Sequence, residues 1–334
     1  MNVFNKLSLA AALTVVALPA SAATIKIATV APDGTAWMRE MRASADAVKK
    51  ATDGRVEIKY YPGGVMGDDA TVLRKIKIGQ LQGGAFTGGE ATIIIGDAQV
   101  YSLPFMFRSQ DEIDKVRVKL DPLLKQEFDK AGYDLLGVSG AGFAYLMSTR
   151  DIKTREDLKA AKVWVPQGDK AAELAFKAAG VAPIPLPLSD VYTSLQTGLI
   201  DTAANTPSGA IAFQWHTKLK HMIDLPLTYV VGEIVVDKKA TDALSAEDRK
   251  ALEAAFADGF TRLEKANRED NASAREALKQ QGIGITVPND ADRKSWESVG
   301  DEAFKQLSAQ GGMSADMVKA LTGALAEVRG GSAK

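Results

Sequence analysis

The stretch from Ser245 to Gln281 reads as one continuous helix, and its length limits the folds open to this chain. Leu252, Phe256, Leu263 and Leu278 give it an apolar face, and neither Gly nor Pro interrupts it after Gly259. Ser245-Ala-Glu-Asp supplies an N-cap with acids in the first turn, at the positive end of the helix dipole. From Ala246 onward the helix would extend about 54 Å at roughly 1.5 Å per residue. That is longer than most small domains, so the helix is expected to lie across both halves of a two-domain molecule. A mature chain of about 310 residues agrees, at roughly 100–200 residues per domain.

The rest of the chain alternates strands and helices. Ile25 to Val30 reads as a strand that stops at Ala31-Pro32-Asp33-Gly34. Trp37, Met41, Ala45 and Val48 then mark one face of a helix. Val56 to Tyr61, Asp69 to Ile78 and Gln82 to Thr87 continue as strand, helix and strand, the rhythm of a mostly parallel sheet. A second set follows. Asp134–Ser139, Tyr145–Ser148, Lys162–Val165, Leu199–Ala204 and Thr228–Val236 are strand-like, and Lys170–Ala179 is helical. Three prolines keep Pro183–Pro187 extended. Ser189 to Gln196 is a short helix with Ser189 as its expected N-cap and Gly198 beyond its end. Helices near Ala291–Ala309 and Ser314–Val328 complete an α/β chain. The expected first domain is 23–147 plus about 233–280, and the second is 148–232 plus about 281–330. Several short crossings, near Ser148 and Glu233, favour hinge closure around a cleft over a flexible tether.

The N-terminus decides the compartment. Lys6 precedes an apolar run from Leu7 to Leu18, and Ala20-Ser21-Ala22 has the small-residue pattern of a signal peptidase site. The run is shorter than the roughly 20 residues a bilayer requires. Residues 1–22 are therefore expected to be a cleaved leader, and the mature protein to be a soluble one beyond the cytoplasmic membrane. With no cysteine, the protein has no disulfide, thiolate nucleophile or zinc–cysteine site. Lys and Arg number 41 against 42 Asp and Glu, without blocks of one sign, so there is no electrostatic footprint for nucleic acid.

Signs of catalysis are equally absent. The two histidines, His216 and His221, lie five residues apart, a poor spacing for a helical metal pair. No HExxH, GxSxG, Walker A or GxGxxG motif occurs, and the paired glycines read as turns or close backbone packing. No metal, cofactor or catalytic residue is expected.

Four segments, in order, resemble the DctP-type solute-binding proteins of TRAP transporters. Tyr61-Pro-Gly-Gly-Val-Met-Gly67 is similar to the YPxGxLG turn of that family, and Leu103-Pro-Phe-Met-Phe107 to its LPFLF. Asp157-Leu-Lys-Ala-Ala-Lys-Val-Trp-Val-Pro166 is similar to DLKGLKIRVP, and Asp190 to Asp201 to EVYTALQTGVVDG. The resemblance covers nearly the whole mature protein. It implies a two-domain periplasmic binding protein fold, a deep interdomain cleft and a long helix spanning both domains. It also implies capture of a small solute and its delivery to a membrane permease driven by an ion gradient. Gln80-Leu-Gln-Gly-Gly-Ala-Phe-Thr-Gly-Gly89 resembles a branch that works with a periplasmic TPR helper protein, for which hydrophobic ligands have been proposed.

One departure bears on the ligand. Where the family usually carries an Arg that pairs with a substrate carboxylate, this protein has Trp164. A guanidinium offers a bidentate charged contact, whereas an indole offers an apolar face and one N–H. A second ligand-contacting Arg of some members is replaced here by Ala144. The expectation is an apolar or aromatic-rich solute, with Trp164 lining the pocket as the resemblance implies. Asn205, which lies where the family carries a ligand-contacting Asn, and Gln167 would orient a polar end. Trp37, Phe86, Phe105, Phe143, Tyr145 and Trp215 lie on segments expected near the cleft, where each is either pocket wall or ordinary core. The alternatives are an organic acid held by a relocated Arg (Arg39, Arg74 or Arg150) or a periplasmic enzyme or scaffold on the same fold.

Overall fold

The computed structural model describes residues 22–330. Nearly all of the expected leader lies outside the described residues. No helix among the described residues is long and apolar enough to cross a membrane.

In sequence order the elements are β1 (Ala23–Ala28), α1 (Ala36–Ala51), β2 (Val56–Tyr61), α2 (Asp69–Lys77), β3 (Gly83–Thr87), α3 (Gln110–Lys130) and β4 (Tyr133–Ser148). Then come α4 (Arg155–Leu158), β5 (Trp164–Pro166), α5 (Lys170–Ala178), β6 (Ile184–Leu186), α6 (Val191–Thr197), β7 (Thr202–Asn205) and α7 (Pro207–Ala212). The last elements are β8 (His221–Asp237), α8 (Lys238–Asp242), α9 (Ala246–Gln280), β9 (Gly284–Thr286), α10 (Asp290–Ala309) and α11 (Ala315–Val328).

Two long antiparallel strands, β4 and β8, hold the molecule together. Their register runs from Tyr133↔Asp237 to Ser148↔His221. At one end β8 pairs with β3, from Gly83↔Val236 to Thr87↔Gly232, and β3 adjoins the parallel pair β1–β2. At the other end β9 joins β8 at His221–Ile223, and β7 joins β4 at Tyr145–Ser148. The parallel pair β5–β6 sits beside β7 through a bridge between Val163 and Thr202. The sheet order is thus β2-β1-β3-β8-β4-β7. The β4–β8 register shifts between Gly140 and Gly142 and again around Tyr145, and irregularities of this kind bend and twist a ribbon.

Helix α9 reaches from one end to the other. Ser245 caps it by accepting the Asp248 N–H at 3.0 Å, and its 35 residues span about 52 Å. Leu252, Phe256 and Leu263 pack with Ile25, Ile27, Met41 and Val56 over the β1–β2 end. Leu278, near the other terminus, packs with Met147, Trp215 and Leu219. One apolar stripe therefore serves two separate cores.

Four elements depart from the sequence expectation. The paired strand-like stretches before Ser148 form the single strand β4, and β8 begins seven residues before Thr228 and passes through Pro226. Residues 188–190 form a 3-10 turn ahead of α6, so Ser189 is not its N-cap, while Gly198 ends the helix at φ 71° as expected. Helix α11 packs Met317, Leu321 and Leu325 against Leu120, Leu124 and Phe128 of α3, in the core that holds Phe86. The last helix thus returns to the β3 side rather than staying with the second half.

Candidate ligand cleft

A cavity of about 340 Å³ opens between the β1–β3 side of the sheet ribbon and the β5–β7 side. Its walls come from the β1–α1 turn, β3 and the following turn, the middle of β8, β5, the start of α5, and the β7–α7 turn. Loops at strand ends gather here because β4 and β8 carry one set of strands on each side. Among the sequence-selected residues, Trp37, Phe86, Trp164 and Asn205 line it, as does Ala144.

Each of these side chains is held by a local cause. Thr35 accepts the Met38 N–H at 3.3 Å and starts α1, which sets Trp37 in the first turn. The Trp37 ring lies against Gly232, where a Cβ would overlap it, and meets Phe260 edge-on at 6.1 Å. Phe86 sits opposite Glu233 in the β3–β8 register. Trp164 donates its indole N–H to the Leu186 carbonyl at 2.9 Å, which ties β5 to β6, and stands edge-on to Trp215 at 5.3 Å. Its N–H is already satisfied, so what it offers the cavity is ring face. Asn205 uses Oδ1 to accept the Thr206 N–H at 2.8 Å, tight against Gly209.

The other candidates do not line the cavity. Phe105 packs on Trp296 at 6.3 Å, and Phe143 stands edge-on to Tyr229 at 5.1 Å. Tyr145 lies under the Arg275 guanidinium at 5.4 Å. Trp215 is 1% exposed and forms the support behind Trp164. Gln167 is exposed, with its backbone N–H on the Leu186 carbonyl at 3.2 Å. Strand alternation and core packing turn these side chains away from a cleft that their segments border.

Of the three relocated-Arg candidates, Arg39 alone lines the cavity. Arg150 is paired with Asp201 at 3.0 Å, and Arg74 is exposed on α2. Among the described residues no Lys or His lines the wall. The Arg39 side chain is itself 58% exposed, and its guanidinium donates to the Gly34 carbonyl at 2.8 Å and faces Asp270 at 4.0 Å.

Sequence reasoning missed the acids and two aromatic rings. Glu90, Asp169, Phe176 and Phe213 all line the cavity. Glu90 is 3% exposed and accepts both the N–H and the hydroxyl of Thr87, at 3.3 and 2.7 Å. Asp169 caps α5 through Ala172 N–H at 2.9 Å. Burial pushes the Asp169 carboxyl up to about 6, and the neighbouring Glu90 adds to the rise. Burial likewise raises Glu90 and, beside it at the start of α2, Asp69. The sequence signal was the glycine ahead of each acid, Gly89 before Glu90 and Gly168 before Asp169. A Cβ at Gly89 would overlap Asp169 Oδ2, so its absence lets the two turns meet. The histidines stay apart: His216 bonds the Ala210 carbonyl and His221 lies 3.8 Å from Asp151. No group of acids or histidines among the described residues could hold a metal ion.

Comparison with known proteins identifies the family and the fold. Residues 27–310 match the family model for DctP, bacterial extracellular solute-binding protein family 7. The chain is 26% identical over 306 residues to the C4-dicarboxylate-binding periplasmic protein DctP of Rhodobacter capsulatus, covering 89% of each. It is 24% identical to the sialic acid-binding periplasmic protein SiaP of Vibrio cholerae, over 86% of this chain and 91% of that one. The sugar acid binding protein DctPAm of Advenella mimigardefordensis, solved with galactonate, superposes with a TM-score of 0.85 at 21% identity, over 92% of this chain and 99% of that one. The family match spans both ends of the β4–β8 ribbon and the cavity between them, and on that ground the chain belongs to the DctP family of bacterial extracellular solute-binding proteins.

Proposed function

We propose that the protein is the periplasmic solute-capturing subunit of a TRAP-type secondary transporter, and that its solute is largely apolar or aromatic. The observation that carries the ligand class is the wall itself. Trp37, Phe86, Trp164, Phe176 and Phe213 face one cavity whose sole lining cation among the described residues, Arg39, is more than half exposed and turned to Asp270. Aromatic area supplies affinity in such a pocket, and a few polar groups orient the ligand. Trp37 Nε1 and Thr228 Oγ, both on lining residues, are buried without a partner among the described residues and suit that orienting role, with Asn205 beside them. The expected leader and the compartment named for the relatives support a periplasmic location.

Capture follows a hinge. The two domains meet across the cleft, with crossings in β4 at its register shifts and in β8 near Gly232, and closing on the solute creates the surface that the permease reads. A TPR helper is a further proposed partner, resting on the Gln80–Gly89 motif, which here supplies Phe86 and Gly89 to the cleft. A second reading keeps the transporter role with an organic acid held by Arg39, as the acids named for the relatives suggest.

Tryptophan-fluorescence titration against a library of metabolites tests the reading, because three of the four tryptophans, Trp37, Trp164 and Trp215, lie in or directly behind the wall. Saturable binding of one apolar molecule per protein, recovered chemically unchanged, is expected. Conversion of the bound molecule would contradict a capture role, and a preference for hydrophilic acids abolished by Arg39→Ala would favour the second reading.

A further inference from the structure

The cavity is apolar over most of its wall, but its buried charge is all of one sign. Glu90 follows β3 and Asp169 precedes α5, so they come from opposite sides of the cleft. Their turns approach so closely that a Cβ at Gly89 would overlap the Asp169 carboxylate, and Thr92 Oγ reaches the Gly168 carbonyl at 3.5 Å beside them. Asp169 is 6% exposed, and while its Oδ1 takes the Ala172 N–H, its Oδ2 takes no hydrogen bond from the described residues. The nearest charged neighbours of the two carboxyls, Asp69 and Glu173, are acids as well, and among the described residues the one cation on the cavity wall, Arg39, is exposed and turned to Asp270.

Two carboxyls in an apolar site need protons or a cation, because an isolated buried charge is costly. The described residues supply no cation there. Five aromatic rings surround the same space, and aromatic faces attract organic cations. These observations are independent: one concerns the unpartnered Asp169 oxygen and the buried acid beside it, the other the ring faces.

We infer that the solute carries a positively charged amine head on its apolar body, with the head held between Glu90 and Asp169 and the body against Trp37, Phe86 and Trp164. The inference rests on the apolar-solute reading above and narrows it. It also explains how binding closes the cleft: an ammonium group donates to one carboxylate from each side and turns their mutual repulsion into a bridge. The amine is distinct in class from the galactonate bound by the structural relative, and it fits a cavity wall that carries Trp164 and Ala144.

Matched probe sets test it without knowledge of the natural solute. Phenethylamine, phenethyl alcohol and hydrocinnamate share one body, and tryptamine, tryptophol and indolepropionate share a larger one. Calorimetric titration near neutral pH is expected to show the amine of a set binding about tenfold more tightly than its alcohol, about 1.4 kcal/mol, with the carboxylate weakest. Glu90→Gln and Asp169→Asn, the latter keeping a good helix cap, should each bring the amine-to-alcohol ratio toward one. An alcohol or carboxylate that binds best, or no response to either amine, overturns the inference and leaves the apolar reading standing if any other probe binds. Binding of sugar acids with no response to any of the six probes overturns both.

Discussion

At the cavity wall, Trp164 is the residue on which the proposed ligand class turns, and it is firmly held. The indole is 5% exposed, backed by Trp215 and tied to β6 through Leu186. Trp164→Phe keeps a ring and loses only that hydrogen bond, a cost of about 1 kcal/mol. Trp164→Ala removes the wall and should cost about 3–5 kcal/mol of stability. Binding of the natural solute should survive the first change and fall at least tenfold in the second. Unchanged affinity in Trp164→Ala would remove the residue from the site. A second residue, Glu233, is 0% exposed and neither carboxyl oxygen has a partner among the described residues. Burial, with Asp121 adding, raises its folded pKa well above the ordinary value. The native state therefore holds a proton that the unfolded state has released above about pH 4.3, and stability falls by about 1.4 kcal/mol per pH unit as pH rises toward the folded pKa. Glu233→Met abolishes this slope, so its gain in melting temperature over wild type should grow from about pH 5 to about pH 8. A constant gain across that range would mean that Glu233 does not titrate. At this scale the sequence was readable only in part. Trp37, Phe86, Trp164 and Asn205 face the cleft, while Phe105, Phe143, Tyr145 and Trp215 border it on the wrong face, and the sequence does not show which face a side chain takes in a bulged ribbon.

Elements were legible where one physical signal dominated. Helix α9 has an N-cap, first-turn acids, a sustained apolar stripe and no breaker after Gly259, and it forms within a residue of the expected ends. Helix α3 is hidden by Pro122, which sits inside it on the exposed face, one turn after the outward-facing Val118, while Ile113, Val116, Leu120, Leu124 and Phe128 carry the buried face. Strand β4 is hidden by Gly140 and Gly142, which read as a break between two strands, with Gly137 inside the first of them. In the fold they are close approaches: a Cβ at Gly137 would strike the Phe260 ring and one at Gly140 the Tyr229 hydroxyl. Gly89 is the glycine at which the two cleft turns approach each other. Its φ of −66° suits alanine, so Gly89→Ala strains no backbone and changes only the approach of Asp169. The variant should fold with a melting temperature near that of wild type, yet small-angle scattering with ligand should give a larger radius of gyration, and affinity should fall. Normal closure in Gly89→Ala would show that the two turns do not meet in the bound form.

For the whole molecule, the division of labour is between a ribbon that connects and turns that bind. Strands β4 and β8 and helix α9 run through both ends, and the cavity is built from what projects between them. The two-domain architecture was readable because a helix of about 52 Å has few places to go. The path of the last helix was not, since the apolar face of α11 matches a surface on α3 that the sequence leaves obscure. On the proposed reading, this cavity carries one largely apolar solute. The most direct test is native mass spectrometry of the mature protein purified from its own host, followed by denaturing extraction of whatever remains bound. One molecule per protein with an aromatic or aliphatic body is expected; a dicarboxylate or sugar acid at the same stoichiometry would overturn the apolar-solute proposal.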